Sequence, residues 1–533
     1  MKPLVVVGSG ASGVHFALTA LERGRQVLML DVGHERTPQP APEASFTQLK
    51  DTLADPVEYL LGNRFEGVTF PGGAGEYYGI PPSKSFVFAG AGEADPHGDG
   101  FSPLFSFARG GLAEAWTAGV YPFNRDETAD FPFDHADLHA AYGEVARRIG
   151  VTGTHDDLSR FMPEHDHQLE PLQLDRSSTK LLGRYERVRH RLNERLGCYM
   201  GRSRLATLTQ ERAGRKPCTY LGRCLFGCPH EALYTPSVTL AECLAHPGFR
   251  YVPGVFVTHF EYGGDGRIRT VVAAGADGSG PHAFPVDDLA LAAGTLSSAR
   301  IFLNSVYRET GEILRLPGLM DNRQVLVPFV NTAMLGVPYD PASYQYHLLG
   351  MGLEQDHPAE YVHCQITTLT TGMVHPVLQS MPCDMRTAAA VFRQVRSSLG
   401  VVNVNFHDTR RDDNFVTLEA REGKVRLALQ YRPAADEPAR IDRALRRLRK
   451  ALRELRCMIP PGMEHVRPMG ASVHYSGTFP MQTTGGALST TPEGRSREFS
   501  NLLFVDGSTF PFLPAKNITF TLMANAVRIG RSL

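Results

Sequence analysis

Two side chains near the carboxyl terminus, His474 and Asn517, have the chemistry needed to act on a hydroxyl group. The unperturbed pKa of histidine, ~6.5, lies close to neutral pH, so His474 is suited to take up a proton as a general base. The amide of Asn517 can donate a hydrogen bond to an oxygen atom and orient it without competing for the proton. Both residues also have structural interpretations, since the chain contains 20 histidines and asparagine often caps a helix.

Three glycines near the amino terminus have the spacing of a dinucleotide-binding turn. They follow a predicted strand, Leu4 to Val7, and precede a predicted helix, Val14 to Arg23. Glycine at these positions allows a tight turn, close approach of a pyrophosphate to the backbone, and close packing of the helix on the strand. The amino end of the helix offers unpaired N–H groups to the phosphates. The predicted backbone contacts are Gly8, Gly10, Ala11, Ser12 and Gly13.

An acidic residue, Asp31, ends the next predicted strand, Gln26 to Leu30, 18 residues after Gly13. A carboxylate at this place can accept hydrogen bonds from ribose hydroxyls and repels a 2'-phosphate, which disfavours NADP. The strand, turn, helix and acid together predict a bound dinucleotide. They do not distinguish FAD from NAD.

The remaining pattern predicts an α/β protein of at least two domains, because 533 residues exceed what one core usually organises. Residues 36–108 are rich in Pro and Gly and are expected to form loops and a lid. Alternating segments between residues 325 and 433 suit an antiparallel sheet. The other predicted elements are helices at 133–150, 179–196, 437–457 and 517–529, and strands at 251–260, 268–273, 288–293 and 501–505.

The charge balance limits the classes of partner. Lys plus Arg (55) nearly cancels Asp plus Glu (56), which gives no electrostatic reason to expect nucleic acid, an anionic membrane or a strongly charged substrate. We therefore expect a neutral or weakly charged small molecule. No run reaches ~18 apolar residues, so a membrane span is not expected. A strand directly after Met1 leaves no room for a signal peptide and predicts a cytoplasmic protein.

Four motifs resemble the glucose-methanol-choline (GMC) oxidoreductase family, in the family's order. They are the glycine turn at 8–13, the Arg109-Gly110-Gly111-Leu112 and Trp116-Thr117 pair, the segment from Ala292 to Arg300, and the carboxyl-terminal segments 474–478, 501–508 and 517–519. The second motif resembles the pyranose oxidase branch. Residues 325–460 show no recognisable family pattern.

The resemblance implies a Rossmann-like FAD-binding domain built from discontinuous segments, 1–324 and 465–533, with a substrate-binding domain at 325–464. It implies oxidation of an alcohol to a carbonyl by hydride transfer to flavin N5, with His474 as the base and Asn517 as the positioning residue. It also implies further FAD contacts at Gly110, Gly111, Trp116, Val255, Gly294, Asp506, Gly507, Asn517, Ile518 and Thr519.

Two departures from related branches bear on the cofactor. Ala115 stands where some pyranose oxidases carry the histidine that bonds to FAD, so the resemblance implies non-covalent FAD. Cys218, Cys224 and Cys228 resemble the iron-sulfur segment of bacterial FAD-dependent sugar dehydrogenases, whose three thiolates can ligate a three-iron four-sulfur cluster. The alternative is a loop with free thiols and no metal, which we favour because no cytochrome partner or export signal is visible.

The sequence thus predicts a FAD-dependent oxidoreductase acting on a sugar, cyclitol or glycosylated natural product. Polar residues of the predicted sheet, Gln365, Asn403, Asn405 and His407, are candidates to line its pocket. The alternatives are a non-redox lyase that keeps FAD structurally, an NAD-dependent dehydrogenase, a binding protein without catalysis, and a cluster-containing dehydrogenase that passes electrons to a protein. The electron acceptor, whether oxygen, a quinone or a protein, stays open, as does the oligomeric state.

Overall fold

The computed structural model describes residues 3–36, 43–63, 65, 81–90, 96–369, 378, 381–421 and 424–533. The helices are α1 Ala11–Glu22, α2 Phe46–Thr52, α3 Pro56–Leu61, α4 His135–Ile149, α5 Arg176–Leu196, α6 Pro236–Leu244, α7 Thr295–Thr310, α8 Met385–Val395, α9 Glu437–Glu454 and α10 Thr519–Gly530. The strands of the first half are β1 Leu4–Val7, β2 Val27–Leu30, β3 His97–Asp99, β4 Val151–Thr152, β5 Gln168–Leu169, β6 Cys198–Arg202, β7 Phe249–Val252, β8 Val255–Tyr262, β9 Ile268–Gly275, β10 His282–Pro285 and β11 Asp288–Leu291. Those of the second half are β12 Arg315–Pro317, β13 Arg323–Asn331, β14 Leu349–Leu353, β15 Val362–Thr368, β16 Leu399–Phe406, β17 Asp408–Thr409, β18 Phe415–Arg421, β19 Lys424–Gln430, β20 Cys457–Met458, β21 His465–Val466, β22 Leu502–Phe504 and β23 Phe512–Leu513.

A five-stranded parallel sheet, in the order β22-β11-β1-β2-β7, forms the centre of the amino-terminal region. Its strands are short apolar runs, and β1, β2 and β22 are buried along their whole length. Such runs are typical of parallel strands that are covered on both faces. Because β22 comes from near the carboxyl terminus and pairs with β11, the sheet joins distant parts of the chain. Helix α10 packs against α1 and α4 beside it.

A second sheet, in the order β20-β13-β16-β15-β14-β6 with β21 also paired to β13, is antiparallel. Successive side chains of a strand point to opposite faces. One face carries apolar residues, among them Val404, Cys364 and Met351, which pack against the apolar sides of α5 and α9. The opposite face carries polar residues and glycines. This second face is the one that bears on function.

The structure corrects several predicted elements. The predicted strand 251–260 is two strands, β7 and β8, because Pro253 and Gly254 turn the chain between them, with Gly254 at φ 76°. Strands β18 and β19 do not join the large antiparallel sheet: they pair with each other, with β12 and with β3. The region 36–108, predicted as loops, contains α2, α3 and β3 among its described residues.

The carboxyl-terminal helix also begins later than predicted. Helix α10 starts at Thr519 with Ile518 at its N-cap, so Asn517 is outside the helix. Strand β6, which precedes residue 325, belongs to the antiparallel sheet through its pairing with β14. Across the described residues, none of the helices combines the length and apolar character that a membrane crossing requires.

Candidate active site

A cavity of about 1220 Å³, measured out to its opening into solvent, lies at the carboxyl ends of the parallel strands. Val7, Leu30 and Ala292, at or just after the ends of β1, β2 and β11, line it. Ligands of open parallel sheets bind at this edge.

The glycine turn forms one wall of the cavity. Gly8 has φ 99°, and a Cβ added there would lie 2.8 Å from the Ala292 carbonyl oxygen. A Cβ on Gly13 would lie 2.0 Å from the Gly8 carbonyl oxygen, so Gly13 allows α1 to pack on the turn. A Cβ on Gly10 would meet no atom within 4 Å, and Gly10 lines the cavity. The backbone is therefore open at the position where a pyrophosphate would approach α1.

Asp31 lies beside this turn and lines the cavity. Its Oδ2 accepts hydrogen bonds from Ser9 Oγ and from Tyr251 Oη, the latter over 3.0 Å. Burial raises the pKa of Asp31 to about 6, and the two hydroxyls limit the rise. Its carboxylate lies at the cavity wall, which fits the ribose contact predicted from the sequence.

Asp506 closes the other side of the cavity. Its Oδ2 accepts hydrogen bonds from Gly294 N over 3.0 Å and Ser298 Oγ over 2.6 Å, while Oδ1 accepts from Ser508. Burial raises the pKa of Asp506, opposed by these bonds. The carboxylate thus ties the carboxyl-terminal segment to the start of α7.

The structure brings most of the predicted cofactor contacts to this one cavity. Those that line it are Gly8, Gly10, Ala11, Ser12, Asp31, Gly111, Val255, Gly294, Asp506, Gly507, Ile518 and Thr519. Gly13, Gly110, Trp116 and Asn517 do not line it. Gly110 N donates to Ser9 Oγ, and the Trp116 indole donates to the Tyr234 carbonyl oxygen over 2.7 Å. The open glycine turn and the Asp31 and Asp506 carboxylates, which line one cavity, fit FAD.

His474 lies between two residues that line the cavity, Val473 and Tyr475. Its Nδ1 is 3.0 Å from Asn322 Oδ1. The Asn322 amide is itself fixed, because its Nδ2 donates to the Phe406 and Pro514 carbonyl oxygens over 2.9 and 2.8 Å. Asn322 can therefore only accept at Oδ1, which places the proton of neutral His474 on Nδ1. Nε2 is left with a free lone pair.

The charge state of His474 suits a base. The residue is 7% exposed, and burial, assisted by the positive charge of Arg467, lowers the pKa of His474 to about 4. Its backbone N–H donates to Ser472 Oγ over 3.0 Å, and Ser472 Oγ donates to buried Asp321. Val473 has φ 59°, which is unusual for a β-branched residue. The backbone is held in an unfavourable conformation at this point, as often found at functional sites.

Asn517 immediately precedes the cavity-lining residues Ile518 and Thr519. Its Oδ1 accepts a hydrogen bond from Gln365 Nε2 over 2.6 Å. The orientation of Gln365 is set in turn by Asn403 Nδ2, which donates to Gln365 Oε1 over 3.4 Å. The Asn517 carbonyl is therefore occupied, and its half-buried amide nitrogen is the group left to donate to a ligand.

The residue before Asn517 anchors this segment. Lys516 Nζ lies 2.5 Å from Glu127 Oε2, and both side chains are fully buried. Lys516 also donates to the Pro122 and Phe161 carbonyl oxygens over 2.8 and 2.7 Å. Removing one partner of a buried ion pair leaves an uncompensated charge, so such a pair holds its backbone firmly. Asn517 is thereby fixed from both its backbone and its side chain.

Sequence reasoning missed Asn322, Glu127 and Lys516. No local motif marks them, since each acts on a residue more than a hundred positions away. Gln365 and Asn403, predicted as polar pocket residues, do lie next to Asn517. His407, predicted with them, instead has its Nε2 3.0 Å from Arg440 Nη1.

The three clustered cysteines lie elsewhere, around a small depression of about 280 Å³. Burial raises the pKa of Cys218 to about 12, and raises the pKa of Cys224 further, with the neighbouring cysteines adding to the effect. These two groups are therefore thiols at neutral pH. In the described part of the chain, no set of three or more His, Cys, Asp or Glu side chains is arranged to hold a metal ion.

Comparison with known families bears on the same residues. The family model described as GMC oxidoreductase matches residues 410–526, a range that contains His474, Asp506 and Asn517. The match covers the carboxyl-terminal motifs on which the resemblance to this family is based. The family match and the oxidase folds described below support a FAD-dependent alcohol oxidoreductase.

Solved structures share the fold of this chain. Pyridoxine 4-oxidase from Mesorbium loti superposes with a TM-score of 0.60 at 16% identity, over 100% of this chain and 99% of that one. An FAD-dependent oxidoreductase from Chaetomium thermophilum gives 0.57 at 13% identity, over 100% and 98%. Formate oxidase from Aspergillus oryzae RIB40 gives 0.60 at 12% identity, over 99% and 97%. No curated protein matches the sequence.

Proposed function

We propose that this protein oxidises an alcohol group of a neutral polyhydroxylated molecule, such as a sugar, a cyclitol or a glycosylated natural product, to a carbonyl. The observation that carries the proposal is the oriented pair of His474 and Asn517. Asn322 leaves His474 with an unprotonated Nε2, and Gln365 leaves Asn517 with a free amide donor. The sequence neighbours of the pair, Val473 and Tyr475 beside His474 and Ile518 after Asn517, line the dinucleotide cavity.

The two side chains divide the work on the substrate hydroxyl. Asn517 donates its amide N–H to the hydroxyl oxygen and orients it. His474 Nε2 accepts the hydroxyl proton as the carbon loses a hydride. Because Nδ1–H stays bonded to Asn322 Oδ1, the imidazolium that forms is stabilised at once by that acceptor. FAD, when bound, supplies the hydride acceptor.

The residues that would hold FAD are those of the cavity. The glycine turn and the amino end of α1 would bind the pyrophosphate, and Asp31 would accept from the ribose hydroxyls. Ala115 offers no side-chain atom for a covalent bond, so we infer that FAD is bound non-covalently. This inference concerns binding only and does not depend on the identity of the substrate.

The charges around the pair support a neutral substrate. The Lys516 ammonium is compensated by Glu127, and the depressed pKa keeps His474 uncharged. A substrate carboxylate or phosphate would find no unpaired cation beside Asn517 among these residues. The nearly balanced charge of the whole chain, 55 basic against 56 acidic residues, agrees with this.

An anaerobic reduction experiment tests the proposal. Purified protein is mixed in a stopped-flow instrument with D-glucose, D-sorbitol, myo-inositol, benzyl alcohol or pyridoxine, and loss of oxidised flavin absorbance is followed. Pyridoxine is included because pyridoxine 4-oxidase shares the fold. We expect at least one polyol to bleach the flavin in wild type and to do so at least a hundredfold more slowly in His474→Ala. Flavin that no polyol reduces would refute the polyhydroxylated substrate, and flavin that no alcohol reduces would refute alcohol oxidation itself.

A further inference from the structure

We propose that Tyr121 and His363 form a subsite that binds a second hydroxyl group of the substrate, next to the carbon that is oxidised. This inference rests on the proposed function and adds to it the part of the protein that selects a polyol. Neither residue belongs to a motif noted in the sequence.

The strand register places His363 beside the reactive pair. His363 and Gln365 are two residues apart on β15, so their side chains are on the same face, while Cys364 between them packs into the apolar core against α5 and α9. Gln365 donates to Asn517 Oδ1. Burial lowers the pKa of His363 and the Lys516 ammonium lowers it further, so Lys516 lies within electrostatic reach of the His363 ring.

On the neighbouring strand β14, two glycines leave the polar face of the sheet without side chains. Gly352 and Gly350 of β14 pair with His363 and Gln365. A Cβ on Gly352 would lie 2.2 Å from the Phe161 ring, and one on Gly350 would lie 3.1 Å from Leu158. Residues from outside the sheet therefore approach this face closely and enclose the polar side chains.

The Tyr121 ring packs against the ring of His363 on this face of the sheet. The two ring centroids are 4.3 Å apart, and the ring of His347 lies 6.2 Å from that of Tyr121. Tyr121 belongs to the segment that Lys516 holds through the Pro122 carbonyl oxygen. The same lysine thus fixes Asn517 and the backbone next to Tyr121.

Polar atoms in this cluster lack partners. Tyr121 and His363 are 0% exposed and His347 is 2% exposed. Tyr121 Oη, His363 Nε2 and His347 Nε2 make no hydrogen bond with any residue that the structure describes. The side chains of Ser203 and Gln365 lie near the Tyr121 hydroxyl and limit the rise of its pKa, but neither reaches hydrogen-bonding geometry. Buried polar groups are nearly always paired, so three unpaired atoms in one place indicate a ligand that pairs with them.

The chemistry of these atoms selects a hydroxyl. Burial lowers the pKa of His347 to about 3 and the pKa of His363 well below its usual value, so both rings are neutral. Tyr361 Oη lies 3.4 Å from His363 Nδ1 and permits either tautomer. A hydroxyl group both donates and accepts, so it suits either tautomer of His363 together with the phenol of Tyr121. The ligand class is therefore a neutral alcohol with a second hydroxyl near the reacting carbon.

The test compares substrates with and without a second hydroxyl. Flavin reduction by D-glucose, D-sorbitol, myo-inositol and benzyl alcohol is measured anaerobically in wild type, Tyr121→Phe and His363→Leu, giving the reduction rate constant divided by Kd for each alcohol. We expect each variant to lose about tenfold or more on the best polyol and less than threefold on benzyl alcohol. FAD content confirms folding.

Tyr185→Phe is the matched control, because Tyr185 is a similarly buried tyrosine on α5 that packs against the opposite, apolar face of the same sheet. Its ratio of polyol to benzyl alcohol efficiency should equal that of wild type. A second readout does not need turnover: in His474→Ala, adding Tyr121→Phe should raise the Kd for the same polyol, measured by perturbation of flavin absorbance, about tenfold.

The outcomes separate the two proposals. Equal losses on the polyol and on benzyl alcohol, or wild type that only benzyl alcohol reduces, would overturn the subsite while leaving alcohol oxidation intact. Failure of every alcohol to reduce the flavin would overturn the proposed function itself. If Tyr121→Phe does not bind FAD, His363→Leu decides the question alone.

Discussion

Gln365 Nε2 lies 2.6 Å from Asn517 Oδ1, although the two residues are 152 positions apart in the chain. The contact joins the antiparallel sheet to the segment that enters the dinucleotide cavity. Because the Asn517 carbonyl is occupied, only its amide nitrogen is left for the substrate. Gln365 is therefore a positioning residue that acts through Asn517.

Gln365→Leu should slow flavin reduction about tenfold, because the Asn517 amide loses the bond that orients it. The loss should be non-additive with Asn517→Ala: the double variant should reduce no more slowly than Asn517→Ala alone. Stopped-flow reduction with the best polyol of the panel measures all four proteins. Fully additive effects would show that Gln365 acts independently of Asn517.

His474→Ala should keep its FAD but slow flavin reduction by roughly a hundredfold or more, the usual loss for a general base. Imidazole added to the solution should restore part of the rate. His407→Ala is a suitable control, since His407 is also buried with a pKa lowered to about 4 but contacts Arg440 instead. Near-normal flavin reduction in His474→Ala would show that His474 is not the general base.

The rate of flavin reduction should stay constant from pH 8 down to about pH 5 and fall below it. The reason is that burial lowers the pKa of His474 to about 4, so the base keeps its unprotonated Nε2 until the solution is more acidic than for an exposed histidine. Rapid pH-jump stopped flow limits acid unfolding during the measurement. A fall centred near pH 7 would instead point to Asp321, whose pKa burial raises to about 7.

Gly10→Ala and Gly13→Ala should have different effects. A Cβ at position 10 enters open space at the cavity, so this variant should fold and lose FAD affinity about tenfold or more. A Cβ at position 13 would lie 2.0 Å from the Gly8 carbonyl oxygen, so that variant should be strongly destabilised. Flavin absorbance measures FAD binding in both variants, and thermal unfolding measures their stability.

In wild type, FAD should be released by acid or heat, and flavin remaining on the precipitated polypeptide would contradict non-covalent binding.

Protein purified without oxygen should lack stoichiometric iron. Among the described residues, Cys218, Cys224 and Cys228 included, no group of three or more His, Cys, Asp or Glu side chains is arranged to hold a metal ion. Iron analysis and low-temperature paramagnetic resonance check this. About three irons per chain, lost on Cys224→Ser, would show that the loop binds a cluster.

The sequence was most informative where function depends on local conformation. The spacing of Gly8, Gly10 and Gly13 predicted the turn, because Gly8 and Gly13 are required by contacts with the neighbouring strand and within the turn, and Gly10 leaves the backbone open at the cavity. Asp31 was predicted by the same reasoning. The region around His474 and Asn517 was recognised from its motifs, and the family match at 410–526 covers it.

The tertiary structure decided what these residues can do. Asn322 sets the tautomer of His474 from 152 positions away, and Glu127 compensates Lys516 from 389 positions away. Trp116, predicted to contact the cofactor, lies outside the cavity because its indole bonds to the Tyr234 carbonyl oxygen. Periodicity detected β18 and β19 but not which sheet they join. Hydrogen bonds, ion pairs and strand pairings between distant segments leave no local pattern, since they depend on how the whole chain folds back on itself.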